Sequence, residues 1–169
     1  PEVLAMVKKY FGEWNPGEFN QQIPVEKPQD KPRNKNIEWP SQTLPHLVVA
    51  YRGPAFSETE KDKAALDLLS AIAFGENSEI YQKLVLQEQK AVWISPEFSH
   101  NVDPELFAVW SQIKDEKDLN YVRGEIVKTF QKFSKDLIPQ KQLDETRSRL
   151  RYGFSMAMNS NDAIASTLA

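Results

Sequence analysis

The side chains that could perform chemistry in this chain are few. It contains two histidines, His46 and His100, and no cysteine. A catalytic zinc site takes about three protein ligands and keeps one coordination position open. Neither H-E-x-x-H nor H-x-x-E-H occurs, so no helix can present two imidazoles on one face. We therefore expect no catalytic residue and no metal ligand here, and we interpret both histidines as polar residues in or beside strands.

Other catalytic and binding motifs are also missing. There is no G-x-S-x-G turn for a serine nucleophile, and the six glycines form no phosphate-binding loop. The pairs Asp115–Glu116 and Asp144–Glu145 could act as general acid and base, but they lie among lysines and arginines and indicate solvated helix faces. A net charge of -3 gives no reason to expect a nucleic-acid partner. No apolar run reaches the roughly 18 residues of a membrane span.

Two groups of side chains remain as candidates for binding. Trp93 and Trp110 lie on neighbouring predicted strands, and Phe98 ends the first of these strands. Their large rings could line a peptide-binding cavity; the alternative is that they pack in the core beneath the helices. The second group is basic and faces either water or another domain; it comprises Lys141, Arg147, Arg149 and Arg151.

Four segments have the composition of strands. They are rich in β-branched and aromatic residues or bounded by turn residues: Asn36–Trp39, Leu47–Tyr51, Val92–Phe98 and Leu106–Ile113. The last segment alternates, which predicts one face with Phe107, Val109, Ser111 and Ile113 and another with Leu106, Ala108, Trp110 and Gln112.

Helical periodicity fills most of the remaining chain. Ser57 and Glu60 predict a capping box, Gly75 a left-handed helix stop, and Ser78 the cap of a short helix. A helix of about five turns is predicted from Leu119 to Leu137, and Pro139 suits the start of another, interrupted near residues 159–162. The pattern predicts an α+β fold, a layered sandwich of helices on a mainly antiparallel sheet. We expect residues 1–169 to be a single domain excised from a longer chain, with a proline-rich connector at 15–33.

Several segments, taken in order, resemble the second domain of a pitrilysin-type (insulinase-like, M16) zinc peptidase half. The resemblance runs from a helix at 1–12 through a proline-rich connector, a strand before Gly53-Pro54 and a Gly-x-x-Ser turn at 75–78. It continues through the segments 74–84, 89–93, 103–109 and 139–143. The chain has Glu79 where the family often has arginine, and it lacks a glycine near 103–105. These departures indicate a divergent branch.

The resemblance implies a supporting role. Such peptidases consist of two homologous halves that close around an unfolded peptide, and their zinc motif lies upstream of this domain. The expected partners are therefore the upstream catalytic domain, a homologous second half and the peptide. We expect a non-catalytic domain that forms part of the chamber wall, with zinc in the upstream domain and the parent acting outside the cytoplasm, in the periplasm. One alternative is a catalytically inactive homologue that scaffolds a complex or binds peptides. Another is an unrelated α+β binding module.

Overall fold

The computed structural model describes residues 2–15, 17–18, 22, 24, 27–99, 101 and 103–168. These residues divide between two compact units, Pro1–Glu38 and Trp39–Ala169. The first unit contains helix α1 (Glu2–Phe11), which is exposed along its length. The described positions of the 15–33 connector form neither helix nor strand.

In the second unit, the described residues form one antiparallel sheet of three strands: β1 (His46–Arg52), β2 (Ala91–Glu97) and β3 (Leu106–Ile113). The strand order is β1-β3-β2, so β3 is central. Three of the four strand predictions are confirmed. The segment Asn36–Trp39 is not a strand, since the structure gives these residues no regular secondary structure.

The described residues of this unit form five helices. They are α2 (Asp62–Ala73), α3 (Glu79–Tyr81, which continues as a π-helical turn at Gln82–Gln87), α4 (Leu119–Phe133), α5 (Gln140–Ala157) and α6 (Asn161–Leu168), with a 3₁₀ turn at Glu116–Asp118 before α4. Among the described residues, no helix combines the length and apolar composition that a membrane crossing needs.

The core lies between one face of the sheet and the helices. The predicted alternation of β3 is confirmed, since Phe107, Val109, Ser111 and Ile113 are all buried. Val122 and Ile126 of α4 join the same buried cluster as these strand residues. Phe130 brings its ring centroid to 4.8 Å from Phe74 and 5.7 Å from Phe107. The helices therefore cover one face of the sheet, as predicted for an α+β layered fold.

Three local predictions about helix ends were wrong: the capping box at Ser57, the left-handed stop at Gly75 and the end of α4 at Leu137. Ser57 Oγ accepts a hydrogen bond from the Glu60 N–H, but α2 begins later, at Asp62, so the bond stabilises a turn before the helix. Gly75 has no positive φ. It is required for space, because a Cβ there would lie 2.5 Å from the carbonyl oxygen of Ala71.

The end of α4 also differs from the prediction. The helix stops at Phe133 and leaves Leu137 almost fully exposed. The backbone N–H of Ser134 still donates to the Phe130 carbonyl and closes the last turn. The backbone N–H groups of Lys135 and Asp136 then both donate to the Lys132 carbonyl, and this turn takes the chain out of the helix before Leu137. The predicted cap at Ser78 and the break between α5 and α6 are both confirmed.

Candidate functional site

The second face of the sheet is the candidate site. Side chains of strand residues alternate between the two faces, and paired residues on adjacent strands share a face. The face turned away from the core cluster, here called the open face, follows from the register. It carries His46, Val48, Ala50 and Arg52 from β1, Leu106, Ala108, Trp110 and Gln112 from β3, and Trp93, Ser95 and Glu97 from β2.

A β-bulge in β2 turns Trp93 onto the open face. Ala91 pairs with Ile113 and Trp93 with Gln112, so two steps along β2 match one step along β3. Without this irregularity, Ala91 and Trp93 would share the core face. Bulges often redirect a side chain in this way. The extra residue is Val92. Valine is an ordinary strand residue, so its presence in the sequence does not indicate a bulge.

Trp110 stands at the centre of the open face. It is paired with Val48 on one side and Ser95 on the other, and it is 38% exposed. The structure thus brings Trp93 and Trp110 to one surface. The alternative prediction, that they pack beneath the helices, is wrong, because both rings lie on the face away from the core cluster.

Phe98, the third predicted chamber residue, lies elsewhere. Its ring centroid is 5.6 Å from that of Phe107 on the core side, and it packs against the buried cluster. Lys63 Nζ of α2 lies 3.8 Å from the Phe98 ring centroid and donates a hydrogen bond to the Ser99 carbonyl. This contact between a cation and an aromatic face holds Phe98 against the helix layer. Phe98 is therefore not placed to contact a ligand on the open face.

Of the two histidines, the described part of the chain includes only His46, which has no second histidine beside it there. His46 lies on the open face, with its Nε2 3.3 Å from Gln112 Nε2 and its ring centroid 6.1 Å from that of Trp93. His100 lies outside the described residues. Within the described ranges, no three histidine, aspartate or glutamate side chains are close enough to hold a metal ion together. The part of the chain that the structure describes thus offers no ligand set that fits zinc.

Three of the four acidic residues in the two candidate pairs, Asp115, Asp144 and Glu145, take part in surface ion pairs. Asp115 accepts a hydrogen bond from the backbone N–H of Lys117, and its Oδ2 lies 2.7 Å from Lys117 Nζ. The side-chain hydrogen bond from Lys117 lowers the pKa of Asp115, so this carboxyl stays ionised at neutral pH and has no proton to give as a general acid. Asp144 and Glu145 are exposed on α5, where Glu145 lies 3.9 Å from Lys141.

The basic residues of α5 are exposed, as expected for a solvated face. Arg147 lies 4.0 Å from Asp144. Arg149 borders a cleft of about 250 Å³ between α2 and α5, which also contains Asn77 and Thr146. Arg151 borders a neighbouring, wider depression on the same side of the two helices. Both depressions are distant in the chain from the open-face strands and carry no group of catalytic side chains.

A network of charges fixes the segment that leads into β2. Lys83 Nζ lies 2.6 Å from Glu125 Oε2 of α4, and Lys128 Nζ lies 2.7 Å from the other oxygen of the same carboxylate. The Tyr121 hydroxyl donates to Glu88, and Lys90 pairs with the side chain of Asp118 in the 3₁₀ turn before α4.

The pKa values follow the geometry of this network. The hydrogen bond to Glu125 is the largest of the effects that raise the pKa of Lys83. The Lys128 and Lys83 ammonium groups lower the pKa of Glu125. Both shifts indicate that the charged forms are stabilised in the folded state. The network thereby anchors the π-helical turn and the start of the bulged strand.

Comparison with known proteins defines the class. The sequence profile of the peptidase M16 inactive domain matches residues 1–150, and the chain belongs to this family. Its three-stranded antiparallel sheet and helix layer have the fold of that domain, which is non-catalytic. Among curated protein sequences, no match to the chain is found.

Solved structures share the fold. A protease from Helicobacter pylori superposes with a TM-score of 0.82 at 25% identity, over 98% of this chain and 40% of that protein. This chain thus spans about two fifths of the length of that relative. The peptidase M16 inactive domain from Pseudomonas fluorescens is 21% identical, with a TM-score of 0.61 over 73% of this chain and 29% of that one. A candidate zinc protease from Bordetella pertussis Tohama I is 19% identical, with a TM-score of 0.58 over 73% of this chain and 68% of that one.

Proposed function

We propose that this chain is the supporting, non-catalytic domain of a zinc-dependent peptidase and that its open face forms part of the wall around an enclosed peptide. One observation carries the proposal. The sheet has two indoles, Trp93 and Trp110, on a face that its own core helices leave uncovered. Aromatic side chains offer large contact areas at low conformational cost, which suits a surface that contacts many peptide sequences.

The proposal assigns the chemistry to another domain. The described residues have no set of zinc ligands, whereas proteins that share this fold include a protease and a candidate zinc protease. The zinc and the catalytic residues are therefore expected in an upstream domain of the parent, and a homologous second half is expected to complete the chamber. We include a periplasmic location for the parent in the proposal; a cell fractionation that finds a tagged parent only in the cytosol would refute it.

Substitution of Trp110 in the parent protein tests the role of the open face. Trp110→Ala removes the central ring, and we expect the KM for an unstructured peptide to rise about threefold to tenfold while kcat stays within twofold. A wall that only binds peptide contributes equally to ground state and transition state, so KM changes and kcat does not. Trp39→Ala is the matched control, because Trp39 lies outside the sheet and is 69% exposed. Equal KM values for the Trp110 variant and wild type would contradict the proposal.

The alternative is a catalytically inactive homologue that binds peptides or scaffolds a complex. It has the same open face and differs only in the upstream domain. The parent sequence upstream of this chain and the zinc content of the purified parent separate the two. An intact H-x-x-E-H motif with about one bound zinc favours the peptidase. A degenerate motif with no zinc favours the inactive homologue, for which the Trp110 test becomes a measurement of peptide affinity.

A further inference from the structure

We propose that the open face has a subsite for one lysine or arginine side chain of the peptide, between Trp110 and Glu97. The inference rests on the proposed function, because it names the kind of peptide that this surface selects. The subsite is a trough across the strands, formed by one row of paired residues: Ala50, Ala108 and Glu97.

Small side chains form the floor of the trough. Ala50 and Ala108 lie in one row, flanked along β3 by Trp110 on one side and Leu106 on the other. Ala108 is only 8% exposed although it lies on the open face, which indicates that its larger neighbours rise on both sides of it. A methyl floor between bulky walls fits an aliphatic chain, and it contributes no polar group that the chain would desolvate.

A carboxylate closes one end of the trough. Glu97 is the β2 partner of Ala108, and Trp110 lies two residues from Ala108 along β3. Glu97 and Trp110 are therefore diagonal neighbours on one face, and such positions are about 7–8 Å apart. Its side chain is exposed, and no hydrogen bond or ion pair within the described ranges engages its carboxylate. A lysine or arginine stem can lie over Ala108 against the indole, with its cationic head at the carboxylate. Such a pose combines stem burial, a cation–π contact and a charge-assisted hydrogen bond.

The other charged groups of the face set the direction of the bound side chain. Arg52 lies on β1, next to the opposite end of the trough, and takes part in a contact of its own. Its positive charge disfavours a cationic head at that end. His46 lies two rows away, beside Gln112. The head group is therefore expected at the β2 edge, at Glu97.

Paired peptides that differ in one charge test the subsite in the parent protein. The probes are short fluorescein-labelled peptides with a single arginine or, in its place, the neutral isostere citrulline. Binding is followed by anisotropy with the zinc chelated, so that the peptides stay intact. We expect wild type to bind the arginine peptide about threefold to tenfold more tightly. Glu97→Gln should abolish this preference and leave the citrulline affinity unchanged, whereas Glu58→Gln, an exposed control outside the sheet, should retain it.

The outcomes separate this inference from the proposed function. A preference that is absent in wild type, or that persists in Glu97→Gln, overturns the subsite. If Trp110→Ala still weakens the binding of both peptides in that case, the open face remains a peptide-binding wall. If neither Trp110→Ala nor Glu97→Gln changes the affinity for either peptide, the subsite and the wall are both refuted.

Discussion

Gly75 provides a sharp test of the packing argument, because two mechanisms predict different rankings of its variants. In most helical or bridge conformations, Gly→Ala stabilises a protein by about 0.4–1 kcal/mol, since the unfolded chain loses freedom. Gly75 has no positive φ, so alanine meets no backbone strain there. A Cβ would nevertheless lie 2.5 Å from the Ala71 carbonyl oxygen, almost an ångström inside ordinary contact, which begins near 3.4 Å.

We expect this contact to dominate. The neighbouring atom belongs to the backbone of α2 and cannot rotate away, so the turn must shift, at a cost of about 1–3 kcal/mol. Gly75→Ala should therefore lower the free energy of unfolding by about 1–2 kcal/mol. Gly75→Asn should be no better, because a side chain suited to left-handed backbone gains nothing at a position that is not left-handed.

Urea unfolding, followed by tryptophan fluorescence, measures both variants. Gly124→Ala is the matched control: Gly124 lies within α4, and a Cβ there would meet no atom within 4 Å. This control should stabilise the chain by about 0.5–1 kcal/mol. The reasoning is refuted if Gly75→Ala stabilises the chain as Gly124→Ala does. It is refuted as well if Gly75→Asn clearly restores stability relative to alanine, because that result would indicate a left-handed residue.

Three further predictions concern the elements that support the open face. Glu125→Gln should lower stability by about 1–2 kcal/mol at pH 7 in urea unfolding. The folded-state pKa of Glu125 lies below its ordinary value of 4.5. The stability that the Glu125 carboxylate contributes is therefore fully present above about pH 4.5 and is lost as the pH falls through the folded-state pKa. An acid-unfolding profile of the variant that is the same as that of wild type would count against this contribution. Ile126→Ala should cost about 2–4 kcal/mol in the same assay, with the exposed Leu137→Ala near zero; similar values for the two would contradict the assigned core. Deletion of Val92 should remove the bulge and leave Ala91 opposite Ile113 and Trp93 opposite Gln112, so Trp93 stays on the open face. The tryptophan emission maximum should therefore stay unchanged, and a blue shift would contradict the assignment of Val92 as the extra residue.

The strands and the class of fold could be predicted from the sequence because their signals are local. Alternation along β3 is enough to place Trp110 on the face opposite to Phe107 and Val109. The same reasoning could not place Trp93, since the bulge at Val92 depends on how two strands pair rather than on a residue type. Alternation within β2 separates Phe98 from Trp93, because the two positions are an odd number of residues apart; the structure places Phe98 on the core side, where Lys63 lies over its ring.

Errors at the helix ends have a different origin. Glycine after a helix usually indicates a left-handed cap. At Gly75 the glycine is instead required by a close approach to the Ala71 carbonyl. The sequence shows the same residue type in both cases and therefore cannot distinguish them. The trough on the open face was also missed. Regular alternation in β1 could have placed Val48 and Ala50 on one face, whereas the row that joins Ala50, Ala108 and Glu97 requires the register of all three strands.

The central claim is that peptide lies against the open face, and site-specific crosslinking in the parent protein tests it most directly. A photoreactive benzoylphenylalanine replaces Val48, which is exposed on the open face, or Tyr152, which is exposed on α5. We expect a labelled unstructured peptide to crosslink at position 48 and not at position 152, and excess unlabelled peptide to suppress the product. Equal labelling at both positions, or labelling at position 152 alone, would contradict the central claim.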